Sequence, residues 1–225
     1  MFDWTIILIV LALIVTLYAQ IMVHSNYKKY SEVASLRGAT GREVAKYILS
    51  ANGLDFVRIE PIDGELADHY DPRDKTLRLS PGVYDSSSIS AISIAAHEAG
   101  HAIQDAEKYA WMSLRSAVVP VANVGSTLSW ISIFAGFFIP AFFPQFLTFA
   151  IICYSAVVAF TLITLPVEFN ASQKALKCLS ESDYLYPDEL PMAKKVLNAA
   201  AMTYVAAAFA SLMTLLRFIL IRNRS

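Results

Sequence analysis

Uncharged apolar runs and one polar, punctuated segment divide the 225-residue chain. Residues 4–23, "WTIILIVLALIVTLYAQIMV", carry no charge over twenty positions. At about 1.5 Å of rise per residue this is enough to cross roughly 30 Å of hydrocarbon, so the run predicts a transmembrane anchor. A cleaved signal peptide would need a basic leading region and a small-residue cleavage site, and "MFDW" followed by this long apolar run provides neither. Residues 116–167 contain no Asp, Glu, Lys, Arg or His. That length exceeds one span and fits a transmembrane hairpin turning at "PAFFPQ", residues 140–145. A further apolar run, 196–221, is rich in alanine and holds Arg217 near its end, which suits either a spanning helix or one packed partly on protein.

The polar segment, residues 26–115, has the patterning of a small α/β unit. "TGREVAKYILSANGL" offers Thr40 as an N-cap, places Val44, Tyr47, Ile48 and Ala51 on one face and stops at Asn52-Gly53. "LDFVRIEPI" (54–62) and "KTLRLSPGV" (75–83) alternate as strands do, with the turn-rich "DGELADHYDPRD" read as a loop between them. A helix is predicted over about 86–108, capped at Asp85 or Ser86. Its Ile, Ala and Gly content on nearly every face marks it as central and buried.

Composition adds little beyond class. The chain is 56% hydrophobic with a formal charge of −1, so it is too apolar for an ordinary soluble domain, and no nucleic-acid partner is expected. Its two cysteines, Cys153 and Cys178, give no disulfide framework. There is no G-x-x-x-x-G-K phosphate loop, hence no sign of an ATP-driven motor.

The candidate chemistry lies in "SIAAHEAGHAIQD", residues 93–105. On a helix His97 and His101 are about 40° apart around the axis and can face one metal ion, while Glu98 lies about 60° beyond His101. Neutral imidazoles leave a zinc ion acidic enough to activate water, and a carboxylate beside it can serve as the base. A chance H-E-x-x-H is rare in a chain with four histidines, and two buried histidines with a glutamate would need partners to offset desolvation. Catalytic zinc sites use three protein ligands and keep a fourth position open. Glu168, the first ionisable residue after the uncharged 116–167 and two residues beyond Pro166, is the candidate third ligand. Asp105, one turn past His101, is a rival better placed for an outer role. His69, in "LADHYDP", could steady an oxyanion or be a turn histidine.

With these residues in view, the sequence resembles the YugP-like family of bacterial membrane-bound neutral zinc metallopeptidases. The likeness covers most of the chain, through "GATGREVAKYIL", "DHYDPRDKTLRLSPGVY", "AAHEAGHAIQDA", "LPVEFNASQKAL" and "AAAMTYVAAAF". It is similar, more distantly, to the HtpX-like and CAAX prenyl peptidases, where an E-x-x-A-D segment supplies the third ligand. The resemblance implies one Zn²⁺ per chain held by His97, His101 and Glu168, with Glu98 as base. Here the segment reads "EFNAS", so Ser172 stands where the distant relatives carry an acid. A hydroxyl can still bond to a zinc histidine but adds no negative charge. The resemblance also implies that strand 75–80 lies beside the site and binds extended substrate by strand addition.

The expected fold class is therefore an α+β, zincin-like (gluzincin-type) peptidase domain combined with about four transmembrane helices. The domain covers 26–115, and a polar loop, 168–195, carries the third ligand. The expected function is a membrane-embedded zinc endopeptidase acting on membrane or membrane-proximal proteins. The alternative is a non-proteolytic zinc-binding scaffold, against which Glu98 speaks, because a structural zinc site needs four ligands and no base. Lys28, Lys29, Arg37 and Arg42 follow the first span while only Asp3 precedes it. This bias predicts a multi-pass cell-membrane protein with the catalytic domain in the cytoplasm.

Overall fold

The computed structural model describes residues 3–224. The chain is mostly helical with one small sheet: α1 (Ile6–Ser31), α2 (Gly41–Ala51), β1 (Arg58–Pro61), β2 (His69–Asp71), β3 (Thr76–Leu79), α3 (Pro81–Tyr84), α4 (Ile89–Ala106), α5 (Ala110–Phe138), α6 (Phe143–Glu181) and α7 (Leu190–Arg222). It divides into two compact units. One comprises Ile21–Met112 and Val167–Met202; the other holds the chain up to Gln20, Ser113–Pro166 and the chain from Thr203 onward.

The first unit is built around α4. Ser88 caps it by accepting from the amide of Ala91 at 3.2 Å, in place of the predicted Asp85 or Ser86. Ile89, Ile92, Ala95, Ala96, Ala99 and Ala102 are all buried, because α2, α3, β2 and β3 pack against this helix. In α2 a capping box joins Thr40 and Glu43, which satisfies two otherwise unpaired amides. Its inward face is Val44, Ala45, Ile48 and Leu49, while Tyr47 and Ala51 of the predicted stripe point outward.

Three strands form the sheet in the order β1-β3-β2. β1 runs parallel to β3, and β2 runs antiparallel to it with His69 opposite Arg78, Tyr70 opposite Leu77 and Asp71 opposite Thr76. Two sequence expectations change here. The segment read as a loop contains strand β2, which carries His69. β3 is central with both edges paired, so it has no free edge for an added strand.

The segment 168–195 is not a loop either, since α6 continues through Pro166 to Glu181 and α7 starts at Leu190. Proline removes one helical hydrogen bond. The helix survives this because Val167, Ala171, Ala175 and Leu179, spaced four apart, are all fully buried and hold it against the core.

The second unit is the apolar one. α1, α5, α6 and α7 are each long and apolar enough to cross a membrane. α5 and α6 are joined through a short 3-10 turn, Pro140–Phe142. Ile7, Leu13, Val124, Ile131, Phe137 and Ile152 are exposed on this unit, a surface suited to lipid and not to water. At its end, Arg217 meets Asp3 at 3.3 Å, Arg224 lies 3.8 Å from the same carboxylate, and the Arg224 guanidinium sits 4.6 Å over the Trp4 ring.

Candidate metal centre

The helical spacing of His97 and His101 puts both rings on one face of α4, with centroids 4.8 Å apart and planes nearly perpendicular. Glu168 on α6 completes the group. Its Oε2 lies 3.2 Å from His97 Nε2 and 3.4 Å from His101 Nε2, and the ligand-capable atoms of the three residues are all within 4.8 Å of one another. All three are buried, the histidines at 8% exposure and Glu168 at 2%.

Two nitrogen lone pairs and a carboxylate converging on one point form a donor set that suits Zn²⁺. The remaining ring nitrogens are held from outside the group. Ser172 Oγ lies 3.2 Å from His97 Nδ1, and Gln104 Oε1 lies 3.0 Å from His101 Nδ1. Both Nε2 atoms are thereby turned inward. Burial lowers the pKa of His101, but its hydrogen bond with Glu168 and the charges of Glu98 and Glu168 outweigh this and raise it.

Glu98 stands apart from that triplet. Its Oε2 accepts a hydrogen bond from the backbone amide of Tyr70 at 3.1 Å, so strand β2 orients it. Asp68, one residue before the strand, accepts from both the amide and the hydroxyl of Ser80. Burial raises the Asp68 pKa against these bonds, and the nearby Glu98 charge adds to the rise.

Asp105 is not brought into the group. Its Oδ2 accepts from the Tyr70 hydroxyl at 2.7 Å and from Lys75 Nζ at 2.6 Å, which pins it to the sheet. Burial, followed by this contact with Asp105, holds the Tyr70 phenol protonated well above its usual range, so it remains a donor. His69 Nδ1 lies 2.9 Å from the carbonyl oxygen of Ala67, which can only accept. This ring nitrogen therefore carries a proton, and Nε2 can donate only when the ring is doubly protonated.

Sequence reasoning missed Gln104 and Tyr70. Gln104 follows His101 by three residues, a helical neighbour position that could have marked it. Tyr70 acts through its backbone amide, which no residue type announces.

A family model described as "Putative neutral zinc metallopeptidase" matches residues 5–223. The chain is similar to the "Putative membrane protease YugP" of Bacillus subtilis (strain 168), at 45% identity over 216 residues that cover 96% of this chain and 95% of the relative. No solved structure matches the chain.

Proposed function

The chain belongs to this neutral zinc metallopeptidase family, and from that premise we propose that it is a zincin-like, gluzincin-type endopeptidase cutting membrane or membrane-proximal proteins. The observation that carries this reading is the meeting of His97, His101 and Glu168 beside a glutamate, Glu98, whose carboxylate is tied to a strand amide. In this reading the three are the ligands of one Zn²⁺.

Zinc bound there supplies a Lewis acid that makes water acidic enough to lose a proton near neutral pH. Glu98 takes that proton as oxygen attacks the peptide carbonyl, and gives it to the amine nitrogen as the carbon–nitrogen bond breaks. The Tyr70 amide keeps the Glu98 carboxylate aimed during both transfers. His69, with Nδ1 committed to Ala67, donates to the oxyanion only as an imidazolium. Because the Tyr70 amide points to Glu98 and not to β3, the free edge of β2 runs beside the base.

Glu98→Gln removes the base and leaves the three proposed ligands. It is expected to retain zinc and to lose at least about 100-fold of the hydrolysis rate. Comparative membrane proteomics of cells carrying wild type or this variant should show protein fragments with the wild type alone. Identical fragments at identical rates would overturn the mechanism, and no fragments from either would favour the non-proteolytic zinc scaffold.

A further inference from the structure

Gln104 is fully buried and uses both N–H bonds and the oxygen of its carboxamide. Resting on the ligand roles proposed above, we infer that Gln104 is a positioning residue that fixes the tautomer of His101 and ties it to the helical turn carrying Glu168.

Gln104 Nε2 donates to the backbone carbonyl of Val167 at 2.8 Å and to Asn170 Oδ1 at 2.9 Å. A backbone carbonyl can only accept, so the nitrogen end of the carboxamide must face α6 and the oxygen must face His101. The carboxamide oxygen is also only an acceptor, and it lies 3.0 Å from His101 Nδ1. Nδ1 therefore carries the proton, and the lone pair of the neutral ring sits on Nε2, the nitrogen 3.4 Å from Glu168 Oε2. His97 has no such instruction, because the Ser172 hydroxyl on its Nδ1 can donate or accept.

The two residues that receive the N–H bonds flank Glu168 in sequence, Val167 immediately before it and Asn170 two positions after it. One side chain thus decides which nitrogen of His101 faces the site and where the Glu168 carboxylate stands. Burial makes the arrangement strict, because a carboxamide turned the other way would set its N–H groups against His101 Nδ1–H and its oxygen against a carbonyl.

The test uses the full-length chain in detergent, with zinc affinity measured by chelator competition and Co²⁺ as a spectroscopic substitute. Gln104→Met is expected to weaken zinc binding by about 10–100-fold and to change the visible Co²⁺ absorption. Gln104→Glu keeps an acceptor for His101 Nδ1–H while losing the pair of N–H donors, and is expected to recover affinity to within about tenfold of wild type. A role limited to holding α4 against α6 would leave Gln104→Glu no better than Gln104→Met, and that result overturns the proposal. Unchanged affinity and spectrum in Gln104→Met overturn it as well. Should the variants not fold, ¹⁵N spectra of histidine-labelled, zinc-loaded wild type decide: His101 is expected to show a protonated Nδ1, and an unprotonated Nδ1 overturns the assignment. A wild type that binds zinc with this dependence on Gln104 and yet cuts no peptide bond would remove the peptidase reading while leaving the role of Gln104 intact.

Discussion

Glu168 and Asp105 are both acids near the histidines, and their surroundings separate them. Asp105 already receives Tyr70 and Lys75, whereas Glu168 is buried with one oxygen shared between two imidazoles. Glu168→Gln replaces a charged ligand by a neutral one, so zinc affinity and activity are expected to fall together by at least about tenfold. Asp105→Asn keeps an acceptor for Tyr70 and is expected to change zinc affinity by less than about threefold, loosening the sheet contact instead. Metal content after dialysis and chelator competition check both, and effects in the reverse order would transfer the ligand role to Asp105. His97→Ala and His101→Ala should each come through dialysis without zinc. Normal occupancy in either would remove that histidine from the set.

At the scale of elements, the close approach of α4 and α6 sets the site, and Gly100 permits it. A Cβ at Gly100 would stand 2.7 Å from the carbonyl oxygen of Ala171, a backbone atom that cannot swing aside. Gly100→Ala should therefore force the helices apart at a cost of about 1–3 kcal/mol. Because Ala171 is about one turn beyond Glu168, the Glu168 carboxylate moves with it. A lower melting temperature together with weaker zinc binding is the expected pair of results. A lower melting temperature with unchanged zinc affinity would mean that α6 shifts without carrying Glu168. The continuation of α6 was legible in the four-residue spacing of Val167, Ala171, Ala175 and Leu179. Pro166 and the first charged residue after a long apolar run resemble a helix stop, but packing over four buried positions offsets one lost hydrogen bond.

For the whole molecule, the charge bias after α1 predicts a cytoplasmic position for Lys28, Lys29, Arg37 and Arg42, together with the residues of the proposed site. Were all four long helices to cross, the end of α7, with Arg217, Arg222 and Arg224, would come to the outer face. By the same charge rule, arginines at that end speak against a full crossing. In the apolar unit Arg217 and Arg224 share the Asp3 carboxylate, and Arg222 donates to Thr148 Oγ1 at 3.2 Å. The Asp3 carboxylate thus partly neutralises Arg217 and Arg224 beside the start of α1, while Arg222 keeps its charge on a hydroxyl acceptor. With Cys153 and Cys178 removed, single cysteines at Gln145 and Asn223 should react at once with a membrane-impermeant thiol reagent in intact cells. Cysteines at Ser31 and Asp183 should react only after permeabilisation. The inverted pattern would put the site outside the cell, and protection of Asn223 alone would mean that α7 does not cross.

The sequence by itself determined what depends on neighbours along the chain: the apolar lengths that make four long helices, the cap at Thr40, and the four-residue spacing that turns His97 and His101 to one side. It also named Glu168, as the first charge after a long uncharged stretch, but gave it a loop. Tertiary structure alone decided that this acid sits on a helix, that Asp105 is held by Tyr70 and Lys75, that β3 has no free edge, and that Gln104 meets His101 and the Tyr70 amide meets Glu98. The physical reason is that hydropathy and helical periodicity are local quantities. Which edge of a strand is paired, and which donor a buried carboxylate finds, depend on contacts between segments far apart in the chain, such as Gln104 with Val167 and Glu98 with Tyr70.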